Sequence, residues 1–196
     1  MALSKITTES LLDGEITLAK FANLGSDGQV LTSTGGSSPP AFEALTVGKI
    51  VQVVNTQTGA MSTGTTTLPD DNSIPQNTEG NEVMTLAITP TSASNKLIID
   101  VVLNGAHTAT NYVTVALFQD STANALACCT QAESQNSIPM TTGFRHYMTS
   151  GTTSSTTMKV RAGSHAAGTF TFNGAAGSAM KGGSHASSIT ITEISA

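Results

Sequence analysis

A chain of 196 residues with a net charge of -5 fits one domain with an appendage, and its composition already argues against several functions. Charged residues form 11% of the sequence, against about 25% in a typical soluble domain. This weak acidic balance provides no basic patch for phosphates, which argues against nucleic-acid binding. Thr and Ser account for 54 of the 196 residues, and β-branched Thr favours strands. The composition predicts an all-β protein with hydroxyl-rich surfaces.

The first predicted element is an N-terminal anchor, residues 1–23, in an extended or short-helical form. Thr8 followed by Leu11 and Leu12 favours a short helix, and Gly14 would interrupt it. A helix of this length is marginal in water by itself. The anchor therefore needs a partner surface.

The second element, residues 24–47, is predicted to be an extended neck that cannot fold alone. It offers few apolar side chains, and the dipeptides at 27–28, 35–36 and 39–40 mark turns or breaks. The apolar side chains that it does offer include Val30, Leu31, Phe42 and Leu45. A flexible linker is the alternative, and it would be cut by proteases at 33–38.

The third element, residues 48–196, shows the regular alternation of apolar and polar residues that is typical of strands. In 95–105, for example, Leu97, Ile99 and Val101 share one face while Asp100 points to the other. Many short strands separated by polar loops predict an antiparallel β-sandwich of jelly-roll type. The strands are predicted at 48–56, 81–89, 95–105, 111–120, 125–131, 144–150, 157–163, 169–174 and 188–194.

The longest gap between these strands, residues 57–80, has a length that usually indicates a functional loop or one ordered by a partner. It contains Asp70 and Asp71, the one obvious carboxylate pair for a glycosidase-like reaction. We interpret the pair as a solvated turn, because the spacing of a calcium loop is absent. The sequence contains no nucleophile elbow or phosphate loop, so we expect no enzymatic activity and no cofactor.

Cysteines and histidines give no strong indication of a metal site. Cys128 and Cys129 are adjacent and would point to opposite faces of a strand, so a disulfide between them is not expected. The phrase Gly-Ser-His-Ala occurs twice, around His165 and His185. We interpret this repeat as two similar turns; a metal held by symmetry-related histidines is the alternative. The N-terminus does not resemble a signal peptide and no segment is apolar enough to span a membrane, which predicts assembly in a cytoplasm.

Three stretches of the sequence resemble tail-fibre-like virion appendage proteins of tailed bacteriophages, of the marine and cyanobacterial type. They are "ITTESLLDGEITLAKF" at 6–21, "LGSDGQVLTSTGGSSPPAFEAL" at 24–45, and the strands "ITPTSASNKLIIDVVLNG" and "SSITITEISA" at 88–105 and 187–196. The resemblance implies a homotrimeric, elongated, all-β structural protein of the virion. It implies attachment to other virion proteins through the N-terminus. In such a trimer, three copies of the neck around one axis would pool their apolar side chains into a small column. The residues predicted to form that column are Val30, Leu31, Phe42 and Leu45.

Three functions are compatible with these observations. The first is a trimeric fibre or spike whose C-terminal domain contacts a host-surface glycan or protein, with Asn111 and Tyr112 as candidate contact residues. The second is a head-decoration, collar or adaptor protein that cements other virion proteins. The third is a secreted lectin-like trimer, which the missing signal peptide and unpaired cysteines disfavour.

Overall fold

A computed structural model describes residues 29–32, 41–44, 49–109, 112–132 and 135–196, and strands make up nearly all the regular structure of these residues. The chain divides into two units, Met1–Val47 and Gly48–Ala196. The predicted anchor, together with Leu45 and Asn111, lies outside the described residues. Among those that are described there is no α-helix, and so no helix that could cross a membrane.

In the first unit, two short strands form an antiparallel hairpin. They are β1 (Gln29–Thr32) and β2 (Ala41–Ala44). The register places Leu31 opposite Phe42 and Val30 opposite Glu43. Because neighbouring strand residues point to opposite faces, Leu31 and Phe42 share one face of the hairpin and Val30 lies on the other.

The second unit contains twelve strands and one 3₁₀ turn at Lys181–Gly183. The strands are β3 (Ile50–Thr58), β4 (Ser62–Gly64), β5 (Asn81–Ile88), β6 (Lys96–His107), β7 (Tyr112–Gln119), β8 (Ala127–Ala132), β9 (Met140–Thr149), β10 (Thr156–Ser164), β11 (Phe170–Phe172), β12 (Gly174–Ala175), β13 (Ser178–Ala179) and β14 (Ser187–Ile194).

Ten of these strands form two antiparallel sheets. The small sheet has the order β5-β10-β7-β8. The large sheet has six strands, which are hydrogen-bonded in the order β3-β14-β6-β11-β4, and β9 also pairs with the long strand β6. β14 pairs with the first half of β6 and β11 with its last residues, so both lie on the side of β6 away from β9.

The eight long strands have the order of a jelly roll. Numbered one to eight along the chain, they run 1-8-3-6 in the large sheet and 2-7-4-5 in the small sheet. This is the double Greek-key arrangement of two four-stranded sheets. The predicted all-β antiparallel sandwich is therefore confirmed.

The core lies between the sheets and consists of the inward residues of both. β6 contributes Leu97, Ile99, Val101 and Leu103, as their alternation predicts, and all four are almost inaccessible. The facing strands contribute Met84 and Ile88 from β5, Val113, Val115 and Leu117 from β7, and Met158 and Val160 from β10. Ile189 and Ile191 of β14 complete the set.

The sandwich has two distinct ends. At the base, β3 begins and β14 ends, and the two are fastened together: the Lys49 N–H donates to Ser195 Oγ and the Ser195 N–H donates to the Lys49 carbonyl, both at 3.0 Å. At the tip, β6 and β10 end at His107 and Ser164, and β7 begins at Tyr112. Among the described residues, the tip consists of strand ends and the connections between them.

Candidate functional site

The outer face of the large sheet, called the open face here, carries an unusual number of apolar side chains. Cross-strand register aligns Val53, Thr192, Ile98 and Tyr147 in one row across four strands. Its outward residues are Val51, Val53, Asn55 and Gln57 from β3, Ser188, Thr190 and Thr192 from β14, Ile98, Asp100 and Val102 from β6, and Gly143, Arg145 and Tyr147 from β9.

Several of these apolar side chains are in contact with water. Val53 is 53% exposed, Val102 42% and Tyr147 59%. Isolated exposed apolar residues are common on protein surfaces, but a contiguous group on one flat sheet marks an interaction surface. The open face is therefore the first candidate functional site.

Two of the outward residues of the open face, Asp100 and Arg145, are charged, and they neutralise each other. Arg145 forms a bidentate salt bridge with Asp100, in which Nε donates to Oδ1 at 2.6 Å and Nη2 to Oδ2 at 3.1 Å. The hydrogen bond from Arg145 to Asp100 and the attraction between their charges raise the pKa of the guanidinium above its ordinary value. Lys96, at the base side, donates to Thr149 Oγ1 at 2.6 Å. A second copy of the same face would meet little electrostatic repulsion.

The outer face of the small sheet is different, because residues 65–80 cross it as a strap. Leu68 of the strap is buried against Ala116 and Phe118, which point outward from β7. The backbone of Leu68 donates to the Ser164 carbonyl at 2.9 Å near the tip, and the Pro75 carbonyl accepts from Ala125 at 2.9 Å near the base.

Arg161 fixes the end of the strap. Its Nε donates to the Glu79 carbonyl at 2.7 Å and its Nη2 to the Gly80 carbonyl at 2.8 Å. The predicted long loop is thus ordered by the chain's own small sheet, with β4 at its beginning. The strap explains why Phe118, which the alternation places on the solvent side, is nonetheless buried.

The second candidate site is an aromatic pair at the tip. Tyr112, one of the two predicted contact residues, is 48% exposed and its ring lies 6.2 Å from the ring of His165, tilted by 33°. Both lie at the tip end of the small sheet, beyond the strap. From the sequence, Tyr112 is a candidate contact residue and His165 belongs to a repeated phrase, but their proximity is visible only in the structure.

Beneath this pair lies a buried histidine. His107 is only 2% exposed, and Gly168 approaches it so closely that a Cβ there would lie 2.6 Å from His107 Cε1. Burial lowers the pKa of the imidazole, the hydrogen bond with the Ala109 carbonyl opposes this, and the charge of His165 lowers it further. Burial therefore favours the neutral form of His107, which is the last residue of β6 at the tip.

The remaining polar groups singled out in the sequence have structural roles. Asp71 accepts from the backbone and hydroxyl of Ser73, and these bonds lower the pKa of its carboxyl. The second Gly-Ser-His-Ala phrase lies before β14, where Nε2 of His185 is buried without a hydrogen-bond partner among the described residues. Within the described part of the chain, no three His, Cys, Asp or Glu side chains are grouped to hold a metal.

The cysteines are both free, as predicted. Cys128 is exposed, whereas Cys129 turns inward at the edge of the core and contacts Thr142 Oγ1 at 3.2 Å. Burial raises the pKa of the Cys129 thiol, although the Thr142 hydrogen bond partly offsets this.

One buried carboxylate fastens the base. Glu193 is fully buried, and its carboxylate accepts from Gln52 Nε2 at 2.6 Å, from Asn95 Nδ2 at 2.6 Å, and from the backbone and hydroxyl of Thr91 at 2.8 and 2.9 Å. Burial alone would raise the pKa, but the bonds from Gln52, Asn95 and Thr91 outweigh it and lower the pKa to about 2. Glu193 is a structural anion.

Sequence reasoning missed the open face, although a signal for it exists. β3 contains the run "IVQVV" and β6 the run "LIIDVVL", where apolar residues occupy consecutive positions. Such runs are typical of strands that are buried on both faces. The alternation of inward residues does not account for Val53 and Val102, which are apolar but point outward.

Comparisons with known proteins give no family. No protein-family model matches the sequence, and no curated protein sequence is significantly similar to it. Solved structures that share part of the fold include "EclA C-terminal domain; sugar-binding protein", with 14% identity, TM-score 0.33 and coverage of 58% of this chain and 73% of that one. Another is the Eiger TNF of S. frugiperda, with 12% identity, TM-score 0.39 and coverage of 72% and 92%.

A third similar structure is that of infectious bursal disease virus Gt strain. It has 11% identity and a TM-score of 0.38, and the alignment covers 85% of this chain but 42% of the viral one. Likenesses of this size carry no functional argument. The function must be argued from the chain's own surfaces.

Proposed function

We propose that this chain is a non-enzymatic structural protein of a tailed-phage virion, a homotrimeric tail fibre or spike whose sandwich tip contacts the host surface. The observation that carries the proposal is the contrast between the two sheets. The strap covers Ala116 and Phe118 on the small sheet's outer face, whereas the open face keeps Val53, Val102 and Tyr147 in water. Burying that face against sister subunits removes apolar area from water, at roughly 25 cal/mol per Å².

The size of the open face indicates how much of the assembly it can support. Four strands about 4.8 Å apart and about seven residues long give a flat area of roughly 450 Å². A standard stable interface buries roughly 800 Å² on each partner. The open face is therefore insufficient alone, and the proposed trimer also uses the N-terminal unit, where Leu31 and Phe42 share a face of the hairpin.

Self-association through the open face is tested by placing a charge there. Val53→Glu and Tyr147→Glu put three like charges at the proposed threefold contact, so both variants should sediment mainly as single subunits. Thr85→Glu is the matched control, because Thr85 is exposed on the other sheet. If the open-face variants assemble like the control, the face is not the interface.

Location in the particle separates a fibre from the alternative of a head-decoration, collar or adaptor protein. Quantitative mass spectrometry of purified virions gives the copy number relative to a major head protein. A few trimers per particle support a fibre or spike. Hundreds of copies would support decoration and contradict the proposed function.

A further inference from the structure

We propose that Tyr112 and His165 form a stacking platform at the tip for one neutral hexopyranose unit of a host-surface glycan. This inference rests on the proposed function, because it names the class of molecule that the tip would contact. It begins from an observation independent of the open face: the two rings lie 6.2 Å apart, tilted by 33°, and both side chains are exposed.

The platform stands on a firm part of the fold. Tyr112 is the first residue of β7 and pairs with Ala132 of β8, whereas His165 directly follows β10. Two residues after Tyr112, on the same face of the sheet, Thr114 pairs with Gly163 of β10 on one side and with Thr130 of β8 on the other. A ring presented from paired strands loses little conformational freedom on binding, which favours affinity.

The neighbouring groups suit sugar hydroxyls. The Thr114 and Thr130 hydroxyls lie 2.9 Å apart, and Thr130 is exposed, so it offers both a donor and an acceptor. On the β10 side, a Cβ on Gly163 would lie 2.8 Å from the Thr66 carbonyl of the strap. Gly163 therefore lets the strap pass close to β10, and the strap begins there with three threonines at 65–67.

The described residues around the platform favour a neutral ligand. Asp, Glu, Lys and Arg are missing from the described residues of this part of the tip, namely 105–109, 112–115, 128–132, 135–140 and 163–169, while Glu133 lies outside the described residues. Anionic or phosphorylated ligands would find no Lys or Arg side chain in these ranges. A pyranose presents an apolar C–H face and a rim of neutral hydroxyls. It therefore matches an aromatic ring bordered by threonine hydroxyls.

The experiment titrates the full-length protein with methyl β-galactopyranoside, methyl α-mannopyranoside and methyl α-glucopyranoside, followed by calorimetry and by tyrosine fluorescence. The chain has no Trp and only two Tyr, so a change at Tyr112 is visible. We expect at least one glycoside to bind, and acyclic sorbitol, which lacks a rigid C–H face, not to bind. Failure of all three glycosides to bind overturns the inference.

Variants then locate the bound sugar. Tyr112→Ala should weaken binding by at least about tenfold, whereas Tyr112→Phe, which keeps the ring, should stay within about threefold of wild type. His165→Ala should weaken binding by about threefold or more. Ile74→Ala is the matched control, because Ile74 is similarly exposed but lies on the strap. Unchanged affinity in Tyr112→Ala contradicts the inference.

Sedimentation of the same samples keeps this inference separate from the proposed function. Trimers that bind no glycoside would leave the assembly proposal standing and remove the platform. Single subunits that bind a glycoside through Tyr112 would support the platform and contradict the assembly proposal. Tyr112→Ala is expected to keep the wild-type mass, since Tyr112 lies on the small sheet.

Discussion

At the scale of single residues, Glu193 shows how a carboxylate with no cationic partner can be stable inside a sandwich. Each of its oxygens faces hydrogen-bond donors, from Gln52 on β3 and from Thr91 and Asn95 in the β5–β6 connection. The C-terminal residue adds to this network, because the Ala196 N–H donates to Asn95 Oδ1 at 3.2 Å. One ionised side chain therefore joins the start and end of the sandwich to a loop.

Replacing this carboxylate should destabilise the sandwich. Glu193→Gln turns one acceptor into a donor, which would face either the Gln52 amide or the donors of Thr91 and Asn95, so the free energy of unfolding should fall by about 1–3 kcal/mol. Glu82→Gln, an exposed change of the same type, should alter it by less than about 0.5 kcal/mol. Urea unfolding at pH 7 makes the comparison, and equal midpoints would show that Glu193 stabilises nothing.

The pKa of Glu193 also predicts a pH dependence. Because the pKa is about 2 in the folded chain and 4.5 ordinarily, the unfolded chain binds a proton first as the pH falls. The stabilisation is complete above pH 4.5 and is lost as the pH approaches 2. The difference in unfolding free energy between wild type and Glu193→Gln should therefore shrink over that interval; a constant difference would contradict the assignment.

At the scale of elements, the strap covers part of the small sheet's outer face. Leu68 is the main contact between the strap and the small sheet, where it covers Ala116 and Phe118. The strap would expose a second apolar surface if it detached. Its attachment therefore protects the small sheet from competing association.

Shortening Leu68 should loosen this attachment. Leu68→Ala removes a side chain that is only 1% exposed, so we expect a loss of about 2–5 kcal/mol and faster proteolysis within 65–80. Ile74→Ala, in the same strap but exposed, should change stability by less than about 0.5 kcal/mol. Limited proteolysis followed by mass spectrometry tests this directly. Cleavage at the same rate in both variants would mean that Leu68 does not hold the strap.

The elements also show what the sequence could and could not predict. Alternation in 95–105 placed Leu97, Ile99 and Val101 inside, because burial on one face imposes a period of two. The same rule failed for Phe118, since a segment some fifty residues earlier in the chain covers it. The pairing of Tyr112 with His165 also depends on strand register over a long separation, which periodicity does not contain.

At the scale of the whole molecule, the N-terminal unit and the open face are proposed to act together. Leu31 is 52% exposed in the hairpin, which is costly for one chain and explicable if three chains share a column. Leu31→Glu should therefore weaken the trimer, raising the concentration at which it dissociates by at least about tenfold. Mass photometry over a dilution series measures the concentration at which the trimer dissociates. If Leu31→Glu dissociates at the same concentration as the wild type, Leu31 does not contribute to a trimer column.

Sedimentation equilibrium of the wild-type 196-residue chain tests the central claim most directly. The account predicts a single species with three times the subunit mass of 19.9 kDa across the micromolar range, and its conversion to subunits by Val53→Glu. A wild-type protein that sediments at 19.9 kDa at every concentration would contradict it, because the open face would then remain exposed to water with no partner.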